Sequence, residues 1–392
     1  MSFKEEYVFW RIVHYLMSEK KYRMINLSPN GNEIWLENIY EKPFPLIRII
    51  RTDLDWSNWL RNDIVRTKRN GEVIRQSFYK KRLDVFSLYI TPLPPVNDYE
   101  DHLGWSRAVK NERVSVYTSL FLTNDVQHSL SEFQKFFGNM SIDSVKDHYE
   151  PYEIETVKNA VMNLASKEVK KERRIFEAGK PFFTNLFLVV QILVFFLMEL
   201  MGGSENPYVL IQYGAKFNPL ILDGEWWRFF TPIFLHIGII HLLMNSIALY
   251  YLGTIVEKLF GRSRFLFIYL FSGFFGSLAS FIFSPTISAG ASGAIFGCFG
   301  ALLYFGIVYP RLFFRTMGMN VLVVIGLNLL LGIIVPNIDM AGHIGGLIGG
   351  FLASGVSYLP KQDRFNKRWV FLLVTVIFTA GMLYYGFTYP NI

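Results

Sequence analysis

The spacing of apolar positions along the 392-residue chain changes character near residue 180. Before that point apolar and charged residues alternate on short periods. Tyr7, Trp10, Val13 and Leu16 recur every three residues, which predicts a helix over 4–20. Runs at 33–37, 46–51, 85–90 and 114–122 read as strands, and 55–76, 124–137 and 152–176 read as helices. Thr91-Pro92-Leu93-Pro94-Pro95 marks a loop. Together these predict a soluble α/β domain over 1–178, joined to the remainder of the chain by the basic helical stretch 156–178.

Beyond residue 180 long apolar runs dominate. A bilayer-spanning helix needs about 20 mostly apolar residues. Seven segments qualify: 182–202, 232–253, 264–284, 292–309, 319–336, 341–359 and 369–388. The fourth to sixth are short or glycine-rich, as suits helices packed inside a bundle. The expectation is a polytopic helical membrane domain over 179–392.

Composition agrees. The chain is 51% hydrophobic and 18% charged, against about 25% charged in average soluble domains. The start, Met1-Ser2-Phe3-Lys4-Glu5-Glu6, has no basic-then-apolar pattern, so the first insertion signal is expected to be internal. A single cysteine, Cys298, excludes an intrachain disulfide and reads as a small buried hydrophobe. The net charge of +7 does not point to nucleic acid, because many of the basic residues flank the apolar segments. Nine of them follow segments two, four and six: Lys258, Arg262, Arg264, Arg311, Arg315, Lys361, Arg364, Lys367 and Arg368. Only Lys216 and Arg228 lie in the alternate connections. That bias predicts a cytosolic N-terminus and an external C-terminus in the cell membrane.

The same topology bears on chemistry. Ser292, within Gly290-Ala291-Ser292-Gly293, and His343, after Ala341-Gly342, both open segments that begin on the external side. A serine hydroxyl needs a base to become a nucleophile, and an imidazole can serve if the helices touch. Gly346-x-x-x-Gly350 and the small residues around Ser292 permit close contact. His241-x-x-x-Asn245, expected midway along segment two, places two polar groups on one helix face. Such a pair suits an oxyanion hole, with the Ser292 N–H as a further donor. His236 lies off that face and reads as structural. Glu225-Trp226-Trp227-Arg228 fits a loop at the membrane interface.

These residues resemble the rhomboid intramembrane serine proteases. The likeness rests on Glu225-x-Trp227-Arg228, His241-x-x-x-Asn245, Gly253-x-x-x-Glu257-x-x-x-Gly261, Gly290-Ala291-Ser292-Gly293, and Gly342-His343 with Gly346-x-x-x-Gly350. It covers about residues 180–390 and is similar to the long Gram-positive forms, which carry a soluble N-terminal domain and a seventh helix after a six-helix core.

The resemblance implies roles. Ser292 would be the nucleophile and His343 the general base, a dyad without a catalytic acid. His241, Asn245 and the Ser292 N–H would form the oxyanion hole. Trp227 and Arg228 would belong to a loop lying in the outer leaflet, and Glu257 to a hydrogen-bond network at the cytosolic side. The segments 285–291 and 333–341 would cap the entry, and 319–336 would be a lateral gate. Substrates would be transmembrane proteins, cut after a small residue near helix-breaking ones, with no metal or cofactor needed. Where many relatives have tyrosine four residues after the serine, this chain has Phe296, which can still stack on His343. Asp339, four residues before His343, falls in the loop and is not read as a third catalytic member.

Two other readings stand beside this one: an inactive client-binding relative, and a transporter using His241 and His343 as proton carriers. In the N-terminal domain Asp147, His148, Glu150, Glu153 and Glu155 form a cluster that could take a divalent ion or simply be a solvated acidic face. A sensing, adaptor or regulatory role for that domain is an open expectation.

Overall fold

Apolar residues at positions 8, 9, 12, 13 and 16 form one stripe of α1 (Phe3–Ser18), and that stripe is buried against the sheet of the first unit. In the computed structural model of the protein, residues 3–38, 44–77, 81–106, 113–140, 145–146, 148–335, 338–360 and 368–391 are described. The chain divides into two compact units, Met1–Glu172 and Arg173–Ile392.

The first unit holds a six-stranded sheet of order β1-β2-β3-β4-β6-β5. Its strands are β1 (Arg23–Leu27), β2 (Glu33–Glu37), β3 (Leu46–Arg51), β4 (Leu83–Thr91), β5 (Gly104–Trp105) and β6 (Val114–Leu122). β3, β4 and β6 run parallel, while β1, β2 and β5 pair antiparallel with their neighbours. Strands covered on both faces read as continuous apolar runs, and Leu46-Ile47-Arg48-Ile49-Ile50 is buried throughout. α2 (Ser57–Ser77) forms the β3–β4 crossover, with Leu60 and Ile64 packed against Ile50 and Tyr89. Phe133 and Phe137 of α3 (Val126–Phe137) join the cluster of α1, and so do Ile154 and Val161 of α4 (Pro151–Ile175).

Arg48 is the exception within its strand and is fully buried. Its guanidinium donates to Glu33 Oε1 at 2.7 Å, Asp63 Oδ2 at 2.5 Å and Thr67 Oγ1 at 2.8 Å, so the buried charge is matched. The apolar pattern does not anticipate β1 or β5. β1 is a partly exposed edge strand with the polar Arg23 and Asn26, and β5 has two residues. Of the acidic cluster, Asp147 lies outside the described residues. Glu153 pairs with Lys146 and Glu155 with Lys158, and no metal-holding group occurs among the described residues.

The second unit is helical: α5 (Phe183–Leu200), α6 (Pro207–Gln212), α7 (Asn218–Leu222), α8 (Ile239–Phe260), α9 (Arg262–Phe283), α10 (Ser292–Val308), α11 (Pro310–Thr316), α12 (Gly318–Ile334), α13 (Met340–Ser357) and α14 (Arg368–Thr388). Among the described residues five helices are long and apolar enough to cross a membrane: α5, α8, α9, α13 and α14. α11 and α12 form a pair bent by 72°, and α10 is a shorter apolar helix of 17 residues. The seven apolar segments of the sequence thus all return as helices, in a polytopic bundle preceded by an α/β unit.

One boundary needs correction. The apolar run places segment two at 232–253, with His241 midway along it, but α8 starts only at Ile239. Pro232 lies in a 3-10 turn over Thr231–Phe234, and Gly238 at φ +76° turns the chain just before the helix. His241 and Asn245 therefore occupy its first two turns. Glu257 and Lys258 lie inside its last turn, which Gly261 ends at φ +83°.

Glu257 is fully buried and shows how the bundle is tied at that end. The first backbone N–H groups of any helix have no intrahelical partner. Here Glu257 Oε1 accepts from Phe182 N at 2.8 Å and Phe183 N at 2.9 Å. Its Oε2 accepts from Thr184 N at 2.9 Å and Thr184 Oγ1 at 2.7 Å. One carboxylate on α8 thereby caps the start of α5, where negative charge is also favoured by the helix dipole.

Candidate active site

The centre of the bundle is built from backbone contact between three helices. A Cβ on Gly346 of α13 would run into the carbonyl of Gly293 on α10, and one on Gly350 into Gly297. A Cβ on Gly276 of α9 would stand 2.8 Å from Gly342 O and 3.3 Å from Gly293 Cα. Glycine at these positions lets α9, α10 and α13 meet without side chains between them, the packing that membranes favour. The consequence is local: Gly293 follows Ser292, Gly342 precedes His343, and those two glycines touch. Ser292 and His343, 51 residues apart in sequence, therefore each adjoin this glycine contact.

The His343 ring lies flat on Phe296, with centroids 4.2 Å apart and planes 12° from parallel. The ring is half-buried, and its Nδ1 is enclosed without a partner. Asp339 is the N-cap of α13, its Oδ1 accepting from Gly342 N at 2.8 Å. Its carboxylate is therefore engaged in starting the helix.

His241 closes the third side. The point where a Cβ on Gly290 would stand is 2.9 Å from His241 Nε2 and 3.8 Å from Ser292 Oγ. Ile237 N donates to His241 Nδ1 at 3.4 Å, so in the neutral ring the proton resides on Nε2, the nitrogen that faces this space. Asn245, buried one turn further on, donates from Nδ2 to the His241 carbonyl at 3.0 Å. Ser292 is the first residue of α10, ahead of the bond from Ile295 N to Ala291 O, so its N–H lacks an intrahelical acceptor. His236 is fully buried, edge-on to His241 at 5.3 Å.

Two loops hold these elements. Arg228 pairs with Glu225 at 2.6 Å and donates to Ile211 O at 2.8 Å and Ala215 O at 3.0 Å, while Trp227 remains half exposed. Lys216 counts in the sequence only as one of the external charges, yet it is fully buried. Its Nζ donates to Ser284 O at 2.6 Å and Thr286 O at 2.8 Å, and its backbone forms an antiparallel bridge with Ser288. Asn218 adds bonds to Phe281 O at 3.1 Å and Ser284 O at 3.3 Å. The segment leading into Ser292 is thus fixed from the loop before α8. The sequence signal for this is a lysine in a connection with almost no other cation.

Ser292, His241 and His343 lie among the apolar helices of this bundle, and comparisons with known proteins identify the class. The Rhomboid domain family matches residues 223–359. The chain is 39% identical over 391 residues to the rhomboid protease GluP of Bacillus subtilis (strain 168), covering 98% of this chain and 76% of that protein. It is 40% identical over 231 residues to RHOMBOID-like protein 1 of Arabidopsis thaliana, covering 50% of this chain and 59% of that one. RHOMBOID-like protein 7 of the same plant is 39% identical over 179 residues, 44% of this chain and 56% of that protein. The chain belongs to the rhomboid family of intramembrane serine proteases.

Proposed function

We propose that Ser292 and His343 form the catalytic dyad, and that His241, Asn245 and the Ser292 N–H receive the oxyanion. The reading is supported by one observation: Ser292 and His343 each adjoin the Gly293–Gly342 contact, and His241 Nε2 borders the same space as Ser292 Oγ. His343 takes the Ser292 hydroxyl proton as Oγ attacks the scissile carbonyl. The developing oxygen charge turns toward His241 Nε2–H and the Ser292 N–H, donors held in place before reaction. Collapse breaks the C–N bond, and the proton on His343 passes to the leaving amine. Water, deprotonated by His343, then releases the acyl group by the same steps in reverse. Phe296 keeps the imidazole plane fixed throughout.

Substrates in this reading are membrane-spanning segments that unwind locally, because a helical amide is shielded by its own hydrogen bonds. Charge bias supports a cytosolic N-terminal domain over 1–178, a rhomboid membrane domain over 179–392, an external C-terminus and an active site opening outward in the cell membrane. Trp227 and Arg228 anchor the loop at the outer leaflet, and α12 serves as the lateral gate. The N-terminal domain serves a sensing, adaptor or regulatory role.

The test is reconstitution of wild type, Ser292→Ala and His343→Ala in liposomes with a single-span substrate. Cleavage by wild type alone supports the dyad. Cleavage undiminished in Ser292→Ala overturns it. Thiol-reactive, membrane-impermeant labelling of cysteines placed at residue 2 and residue 391 checks the orientation.

A further inference from the structure

At the end of the bundle opposite Ser292, where α8 ends and α9 begins, lies an open cleft of about 1030 Å³. Its cations are Lys180, Lys258 and Arg262, and its apolar wall is Phe176, Pro181, Ile255 and Met317. The one acid in it, Glu177, is already engaged by Arg173 at 2.8 Å. The three cations have no carboxylate partner among the described residues, so the cleft holds three positive charges without internal compensation. Two of them are set by backbone contacts: Ala178 N and Gly179 N both donate to Lys258 O, and Arg262 Nε donates to Lys180 O at 3.2 Å. A Cβ on Gly179 would stand 2.8 Å from Glu257 O and 2.9 Å from Gly261 Cα, so the chain entering α5 is pressed onto the α8–α9 corner.

We infer that this cleft binds the headgroup of an anionic phospholipid. Three convergent cations supply sites for a phosphodiester, and the start of α9 adds backbone N–H groups and a favourable dipole. The apolar wall separates a lipid from a free phosphate. Ile255 lies one turn inward from Lys258 and continues into Tyr251 and Ile247, which are exposed on the outer face of α8. A headgroup at Lys258 and Arg262 would lay its acyl chain along that stripe, in the hydrocarbon layer. Met317, just before α12, lines the same cleft, so a bound lipid would bridge the base of α12 to the α8–α9 corner. The site is independent of the dyad, and its test uses binding, not proteolysis.

The experiment is native mass spectrometry of the full-length protein in detergent, titrated with phosphatidylglycerol or phosphatidylcholine. Wild type is expected to retain one phosphatidylglycerol at concentrations where phosphatidylcholine is lost. K180Q/K258Q/R262Q should weaken that binding on the order of 100-fold, from the attraction typical of a basic residue near an anionic surface taken three times. K167Q/K170Q/K171Q removes equal charge outside the cleft and should leave it unchanged. Equal losses in both variants, or equal retention of both lipids, would overturn the site. Displacement of phosphatidylglycerol by inorganic phosphate alone would overturn the assignment to lipid. Thermal unfolding of the triple variant in detergent checks its fold, and K258Q alone should weaken binding roughly 5-fold.

Discussion

Phe296 lies face to face with His343, the ring centroids 4.2 Å apart. Both residues come from helices whose backbones touch, so the stack is enforced by α10–α13 packing and not by a hydrogen bond. An aromatic pair of this kind is worth about 0.5–1.5 kcal/mol beyond its buried area. Phe296→Ala should lower kcat/KM roughly 10-fold by releasing the imidazole. Phe296→Tyr keeps the ring and should cleave at least as fast as wild type. Initial rates on a liposome substrate separate the two; an unimpaired Phe296→Ala would deny the stack any positioning role.

Much of this is legible in the sequence, for physical reasons that can be named. Seven apolar runs had to become helices, because backbone groups in lipid have no other partners. Gly346-x-x-x-Gly350 signals the α10–α13 contact, since only small residues allow it. The third helix of that contact is not read from the sequence: Gly276 on α9 meets both Gly293 and Gly342, and its small-residue period, Ser272-x-x-x-Gly276-x-x-x-Ser280, is carried mostly by serines within a bulky aromatic run. The start of α8 is also misplaced by hydropathy. Apolarity continues through Ile233 and Phe234, and the stop at Gly238 depends on a positive φ that hydropathy does not record. In the first unit the parallel strands are visible as apolar runs, whereas the two short or polar edge strands are not.

Gly290 has φ +143°, and a Cβ there would lie 2.7 Å from His241 Cε1. Gly290→Ala should therefore displace His241 and close the space shared with Ser292 Oγ, besides adding backbone strain. Loss of one oxyanion donor typically costs on the order of 100-fold in kcat. Labelling of Ser292 by a fluorophosphonate should fall in parallel, while α-helical circular dichroism stays unchanged. Full labelling in this variant would show that His241 does not serve the oxyanion.

Acid should loosen the N-terminal unit through Glu33. Burial alone would raise its carboxyl pKa, but the hydrogen bond and charge of Arg48, with the charge of Arg66 and the Trp35 bond, outweigh it and hold it below the usual carboxylate range. Because the folded value lies below the unfolded one, the unfolded state binds more protons. The stabilisation is complete above the unfolded pKa of about 4.3 and is lost as pH falls through the folded value. Protection factors at β3 amides, taken relative to the intrinsic exchange rate at each pH, should fall on acidification below that range. Glu33→Gln should exchange faster at pH about 7 and show a shallower pH dependence. Identical pH profiles in the two proteins would remove Glu33 from the account.

Lys216 makes the last prediction, and it separates loop fixation from chemistry. Its ammonium satisfies the carbonyls of Ser284 and Thr286, while its own backbone exchanges hydrogen bonds with Ser288, 2.9 Å from Lys216 N and 3.1 Å back from Ser288 N. Lys216→Met keeps length and apolar bulk but leaves Thr286 O without a donor, at about 1–3 kcal/mol, and leaves Ser284 O only its longer bond from Asn218 at 3.3 Å. The segment 284–291 should then exchange its amides faster, with Ser288 first, while the helices α9 and α10 on either side remain protected. Since this segment sets Gly290 and the start of α10, kcat should fall several-fold with KM little changed. A rise in KM at constant kcat would instead place Lys216 in substrate binding, and unchanged exchange at Ser288 would show that the backbone bridge holds the loop without the side chain.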